Sequence, residues 1–216
     1  MEKYNSLGEF SNLEDFIKYY IQKNNECLYS ITKYPIKEYS APNGVFPQPL
    51  NTQILEELGM ICYYYVGDLG SKPNLTFYNS KIVSKKVLAF PVLPYKKIVS
   101  LGEMKKQQIP EKEVEKFLKE MLNYIINNQT VRLYYTHPYD ILQYPKAFYN
   151  FIQYLDSLIK QNKIQTQTMK EYTEFYFRFI QTSFNINQDN THIVIELYNP
   201  ISLKNISLGI SKEKLN

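Results

Sequence analysis

Apolar positions recur at helical spacing at the start of the chain, through Leu13, Phe16, Ile17, Tyr20, Ile21 and Leu28. They follow the capping box Ser11-Asn12-Leu13-Glu14, and the pattern predicts an opening helix of several turns. The spacing then shortens. Ile36 to Tyr39 predicts a short strand leading into the loop Ser40-Ala41-Pro42-Asn43-Gly44, and Asn51 to Leu58 predicts a second helix stopped by Gly59. Met60 to Val66 reads as a buried strand, followed by loop-like text from Gly67 and a further strand at Val87 to Pro94. Val114, Phe117, Leu118, Met121 and Ile125 mark one face of an amphipathic helix.

Val131 to Tyr135, rich in β-branched and aromatic residues, predicts another strand, and Pro145 to Ile159 the helix after it. A short extended piece at Ile164-Gln165 precedes a second capping box, Thr168-Met169-Lys170-Glu171, which opens a helix through Phe179. Strands alternating with helices argue for an α/β fold built on a parallel sheet or barrel. The tail departs from this. His192 to Leu197 and Ile206 to Ile210 read as strands joined by an Asn-Pro turn, so the text predicts an α/β domain over 1–183 and a β-rich segment over 184–216.

One of the chain's two histidines stands where chemistry is expected. His137, in Tyr134-Tyr135-Thr136-His137-Pro138, follows a predicted strand directly. In parallel α/β folds the crevice lies beyond the carboxyl ends of the strands. The plainer alternative is an imidazole that only hydrogen-bonds at a loop start.

Composition narrows the picture. With 216 residues, 44% hydrophobic and 15% aromatic, the chain is long enough for one sizeable core and reads as folded. A net charge of +4, with lysines alternating with glutamates over Glu111 to Glu120, reads as solvated helix surface and gives no footprint for nucleic acid. Cys27 and Cys62 lack metal-ligand spacing, and the residues leave open whether they pair. The opening Met1-Glu2-Lys3-Tyr4-Asn5 does not read as a secretory signal, and no segment is apolar for long enough to predict a membrane span, so the compartment stays open.

The order of four pieces resembles the later half of the NodB-homology polysaccharide deacetylases. They are the Ser40-Ala41-Pro42-Asn43-Gly44 loop with Leu55 to Gly59 behind it, the Gly67-Asp68 turn, the run Phe90-Pro91-Val92-Leu93-Pro94, and Thr136-His137-Pro138 with the Thr168-Met169-Lys170-Glu171-Tyr172 helix start. The resemblance implies a partial or distorted (β/α) barrel acting on, or binding, an N- or O-acetylated carbohydrate. It implies His137 as general acid, since an imidazole of ordinary pKa near ~6.5 can protonate a departing amine or alkoxide. Pro42, Asn43 and Gly44 would form the substrate or oxyanion loop, and Asp68 would orient His137 or serve only as a turn residue.

The family also uses a divalent metal such as zinc, held by one aspartate and two histidines. Those motifs would fall around Met1 to Asn5 or before it, where this chain has no histidine, and Ser40 stands where the family has arginine. The resemblance therefore implies no metal site within this chain. Three readings stay open: part of a longer, metal-dependent deacetylase of the often extracytoplasmic family; a non-catalytic glycan-binding or scaffold protein of the cell envelope; or a fold whose tyrosines serve packing alone. With Trp 0, any sugar platform would be Tyr or Phe.

Overall fold

The computed structural model describes residues 10–40, 44, 49–68, 70–188 and 191–209. The chain divides into two compact units, Met1–Met169 and Lys170–Asn216.

The first unit opens with α1 (Leu13–Thr32), capped by Asn12, whose side chain accepts from the Asp15 backbone N–H at 2.9 Å. The cap is thus one residue later than the capping-box pattern suggests, and Ser11 instead donates to the Asp15 carboxylate at 2.7 Å. Next come β1 (Glu38–Ser40), α2 (Pro49–Glu57) and β2 (Cys62–Val66). Gly59, at φ +70°, takes the left-handed turn that ends α2, as its lack of a side chain allows. Three two-residue strands, β3 (Asn74–Leu75), β4 (Phe77–Tyr78) and β5 (Lys81–Ile82), lead to β6 (Leu88–Val92).

β1, β2 and β6 run parallel, in a four-stranded sheet of order β1-β2-β6-β3 with β3 antiparallel. The register places Ser40 beside Tyr64 and Tyr64 beside Phe90. All five residues of β6 are buried. That is the continuous apolar run expected of a parallel strand covered on both faces.

The predicted strand over Val131 to Tyr135 is reduced to a single parallel bridge from Leu133 to Val92. The outer edge of β6 is shared. Leu88 and Ala89 pair with β3, and Pro91, next to Val92, has no N–H to extend a ladder.

Helices complete the unit: α3 (Leu101–Lys106), α4 (Glu111–Asn128), a short 3-10 helix at Pro138–Gln143, and α5 (Pro145–Lys160). Two hydrophobic clusters result. One joins α1, α2 and the sheet through Ile21, Ile54, Leu55, Tyr63, Val87 and Ala89. The other packs Leu101, Val114, Leu118, Met121, Phe151 and Leu158 of the helices together. Fully burying each such side chain favours folding by about 1.5–3 kcal/mol.

The second unit contains α6 (Met169–Ile180) from Lys170 onward and a hairpin of β7 (Ser183–Gln188) and β8 (Ile193–Tyr198). The division falls earlier than the predicted boundary after 183 because α6 is tied to the hairpin's end: Asn199 Nδ2 donates to the Arg178 carbonyl at 2.7 Å and to Thr182 Oγ1 at 2.9 Å. The partner of β8 is β7, whereas the described residues of Ile206 to Ile210 hold no strand. Cys27 is exposed and Cys62 buried, and they form no disulfide. Among the described residues no helix is long and apolar enough to cross a membrane.

Candidate functional site at the carboxyl edge of the sheet

The parallel register brings the carboxyl ends of β1, β2 and β6 to one edge, and the Leu133 bridge directs the following chain there too. Ser40, Tyr64, Val66, Val92, Tyr135 and His137 line one cleft of about 280 Å³, whose other walls are Gly44, Val99, Ser100 and Glu103. This is the edge at which open α/β sheets bind ligands.

His137 caps the 3-10 turn, and the Asp140 backbone N–H donates to its carbonyl at 3.0 Å. One turn of chain thus returns the Asp140 side chain to the imidazole. His137 Nδ1 lies 3.0 Å from Asp140 Oδ2, and Nε2 lies 2.7 Å from the Tyr135 hydroxyl. The imidazole is 40% exposed and Asp140 6%, so a buried carboxylate fixes a ring that the cleft can reach. Tyr139 stacks on the imidazole, ring centroids 5.1 Å apart. Gly102 is required beneath the pair, because a methyl group there would collide with the Asp140 carboxylate.

Three hydroxyls, those of Tyr135, Tyr64 and Ser40, lie along the same edge. Burial and then the neighbouring Tyr64 push the Tyr135 phenol up to about 12, with a side-chain hydrogen bond to Tyr64 among the causes. The two rings lie 5.3 Å apart, and Ser40 Oγ donates to the Tyr64 hydroxyl at 2.5 Å. At neutral pH Tyr135 is therefore a neutral phenol. With Nδ1 facing the Asp140 carboxylate and Nε2 facing the Tyr135 hydroxyl, the imidazole joins a carboxyl group and a phenol in one hydrogen-bonded line.

Of the residues singled out in the sequence, His137 and Gly44 line the same cleft. Gly44 has φ +63° and lies so close to Val66 that a Cβ would be 2.5 Å from Val66 Cγ2, so both backbone and space demand glycine. Pro42 and Asn43 lie outside the described residues. Asp68 is exposed in the turn after β2, where its backbone N–H donates to Ser71 Oγ at 3.3 Å. The carboxylate on His137 is Asp140 instead, reached by i+3 spacing through a turn begun by Pro138. Sequence reasoning gave no role to Asp140, Gly102 or Tyr64, and saw Ser40 only as a departure from the family's loop. The His-x-x-Asp spacing was a visible signal for the first, whereas the others depend on tertiary packing and sheet register.

The divalent metal implied by the resemblance does not fit the donors here. Both imidazole nitrogens of His137 are engaged, and Glu103 Oε2 accepts from the Val99 and Ser100 backbone N–H groups at 3.1 and 3.3 Å. Among the described residues no three His, Cys, Asp or Glu side chains converge as a metal would need. Comparison with known protein families, curated proteins and solved structures finds no match to this chain.

Proposed function

We propose that the His137 cleft binds an acetylated carbohydrate, on a sheet that forms an arc of a distorted (β/α) barrel of the polysaccharide deacetylase type. The observation that carries this reading is the convergence of His137 and Gly44 on one hydroxyl-rich cleft at the carboxyl edge of the parallel strands. Hydroxyls of Ser40, Tyr64 and Tyr135 suit the polar rim of a sugar, and tyrosine rings suit its apolar face. Within the cleft, Asp140 orients the imidazole and His137 holds or delivers a proton at Nε2.

The test is binding. With two histidines in the chain, the His137 ring resonance is readily assigned by comparison with His137→Ala. Titration with acetylated chito-oligosaccharides or an O-acetylated glycan is expected to shift it saturably, with or without EDTA. An unmoved resonance for every acetylated glycan rejects the reading.

A second reading, glycan binding without amide hydrolysis, is favoured by the engagement of both His137 nitrogens and the misfit of the metal donors. Acetylated chito-oligosaccharides with added zinc or cobalt are expected to release no acetate above background. Acetate release that His137→Ala abolishes would overturn it.

A further inference from the structure

We infer that the hairpin of the second unit is an interface between two copies of this chain, joined edge to edge through β7 about a twofold axis perpendicular to the sheet. The glycan reading of the His137 cleft plays no part in it. Among the described residues β7 has β8 as its one strand partner, and all six residues of β7 are exposed. Its outer edge presents backbone N–H and C=O groups that a further strand would pair, and proteins ordinarily blunt such an edge with a charge, a proline or a bulge. Ser-Phe-Asn-Ile-Asn-Gln carries neither charge nor proline. Its register against β8 runs unbroken from Ser183–Tyr198 to Gln188–Ile193, without a bulge. A two-stranded hairpin is marginally stable in water by itself, and joining two of them makes a four-stranded sheet.

The occupant is a second copy because β7 matches itself. Run antiparallel about Asn185, the strand sets Phe184 opposite the second copy's Ile186, twice by symmetry, and Ser183 opposite its Asn187. Phe184 and Ile186 pair with Leu197 and Ile195 and share their face, so the apolar faces of both copies fall on one side of the joined sheet. An aromatic ring opposite a β-branched side chain is a favourable cross-strand pair. The second unit carries five basic and five acidic residues over 170–216, so two copies meet without net repulsion. Charge also selects the edge. Glu196 stands opposite Asn185 in the ladder, and the Asn185 amide donates to it at 3.3 Å. Joined through β7, the two Glu196 carboxylates lie three strand spacings apart, roughly 14 Å, and are screened. Joined through β8, in the registers that pair most of that strand, they would lie within roughly 8 Å of each other on the same face. The β8 edges are therefore left outside, and the contact closes as a dimer rather than extending as a filament.

Sedimentation equilibrium of the full chain over a dilution series is expected to show reversible passage between 25.7 kDa and twice that mass, with a dissociation constant of ~0.1 mM or tighter. Asn185→Lys separates the interface from the fold. Within one hairpin the new ammonium group faces Glu196, whereas at the twofold axis two such groups face each other. The variant is expected to keep the circular dichroism of the parent and to weaken the dimer at least ~5-fold. In a Cys27→Ser background, which removes the exposed thiol, Asn185→Cys is expected to close a disulfide across the axis under mild oxidation, since opposed residues lie about 4.5–5.5 Å apart at Cα. Ser183→Cys, which the same register places roughly 14 Å from its counterpart, is expected to stay unlinked. A chain that stays at 25.7 kDa up to ~0.1 mM overturns the proposal. So does a dimer that Asn185→Lys leaves at parent strength, or linking of Ser183→Cys as readily as of Asn185→Cys.

Discussion

β6 in the first unit and β8 in the second are both written mostly in apolar residues, Leu-Ala-Phe-Pro-Val against Ile-Val-Ile-Glu-Leu-Tyr, yet they live in opposite surroundings. Every residue of β6 is buried, whereas β8 is exposed apart from half-buried Ile195 and Leu197, and β7 is exposed throughout. The hairpin has the longer ladder, six paired positions from Ser183–Tyr198 to Gln188–Ile193. Ladder length therefore does not set burial. Helices and neighbouring strands cover β6, so strand text reports a surface that suits packing and leaves the partner unspecified. The cleft grows from the covered strands because their ends are fixed by a core.

The sharpest way to break this comparison is to cut the buried strand. Leu88→Ala empties a site with 0% exposure and is expected to cost about 2–5 kcal/mol in urea denaturation of the full chain. A loss below ~1 kcal/mol would place β6 in the same class as the hairpin.

Gly102→Ala probes how the helical cluster supports the site. The added methyl meets the Asp140 carboxylate, so Asp140 must shift, at an expected cost of about 1–3 kcal/mol. The His137 ring resonance is expected to move with it, since the Nδ1 partner is displaced. Stability lost with that resonance unmoved would show that Asp140 does not hold the ring.

Alkaline pH tests the buried tyrosines of the first unit. Tyr63 is fully buried, its hydroxyl 2.7 Å from Thr76 Oγ1, and burial pushes its phenol up to about 12. Tyr134 is likewise raised to about 12, mainly by burial. A folded-state value above the unfolded one means that the unfolded chain loses its proton first. The contribution is complete below about pH 10 and is lost as pH rises toward 12, on the order of 2 kcal/mol for Tyr63. Urea midpoints measured across that window should fall, and Tyr63→Phe should fall less steeply. Parallel slopes for the two proteins would remove Tyr63 from the account.

What could be read from the sequence follows the same division between local signals and tertiary ones. Helices with strong apolar periodicity were legible: α4 (Glu111–Asn128) and α5 (Pro145–Lys160) lie where Val114 to Ile125 and Pro145 to Ile159 placed them. His137 was legible as a strand-end histidine because its neighbours carry the signal locally. The Ser40–Tyr64 hydrogen bond was not, since it depends on register: Ser40 meets Tyr64 only once β1 and β2 pair in parallel. β7 was missed because Ser-Phe-Asn-Ile-Asn-Gln mixes polar amides into its alternation, and its pairing with β8 supplies what the text lacks. Asp68 drew attention as an acid after a strand, but its place in the turn with Ser71 is what an aspartate near glycine ordinarily does.

The smallest expected effect lies in the hairpin. Ile186 faces Ile195 across the ladder, with Ile186 54% exposed, so its methyl groups lose little contact when cut back to alanine. A cross-strand pair of this kind contributes about 0.2–1 kcal/mol. Ile186→Ala is expected to stay in that range by urea denaturation, and the double variant with Ile195→Ala is expected to lose less than the two single losses added, since the pair can be broken only once. A loss of ~2 kcal/mol or more from Ile186→Ala would mean that the hairpin face is covered in solution. The contrast with β6 would then be one of partner rather than of burial.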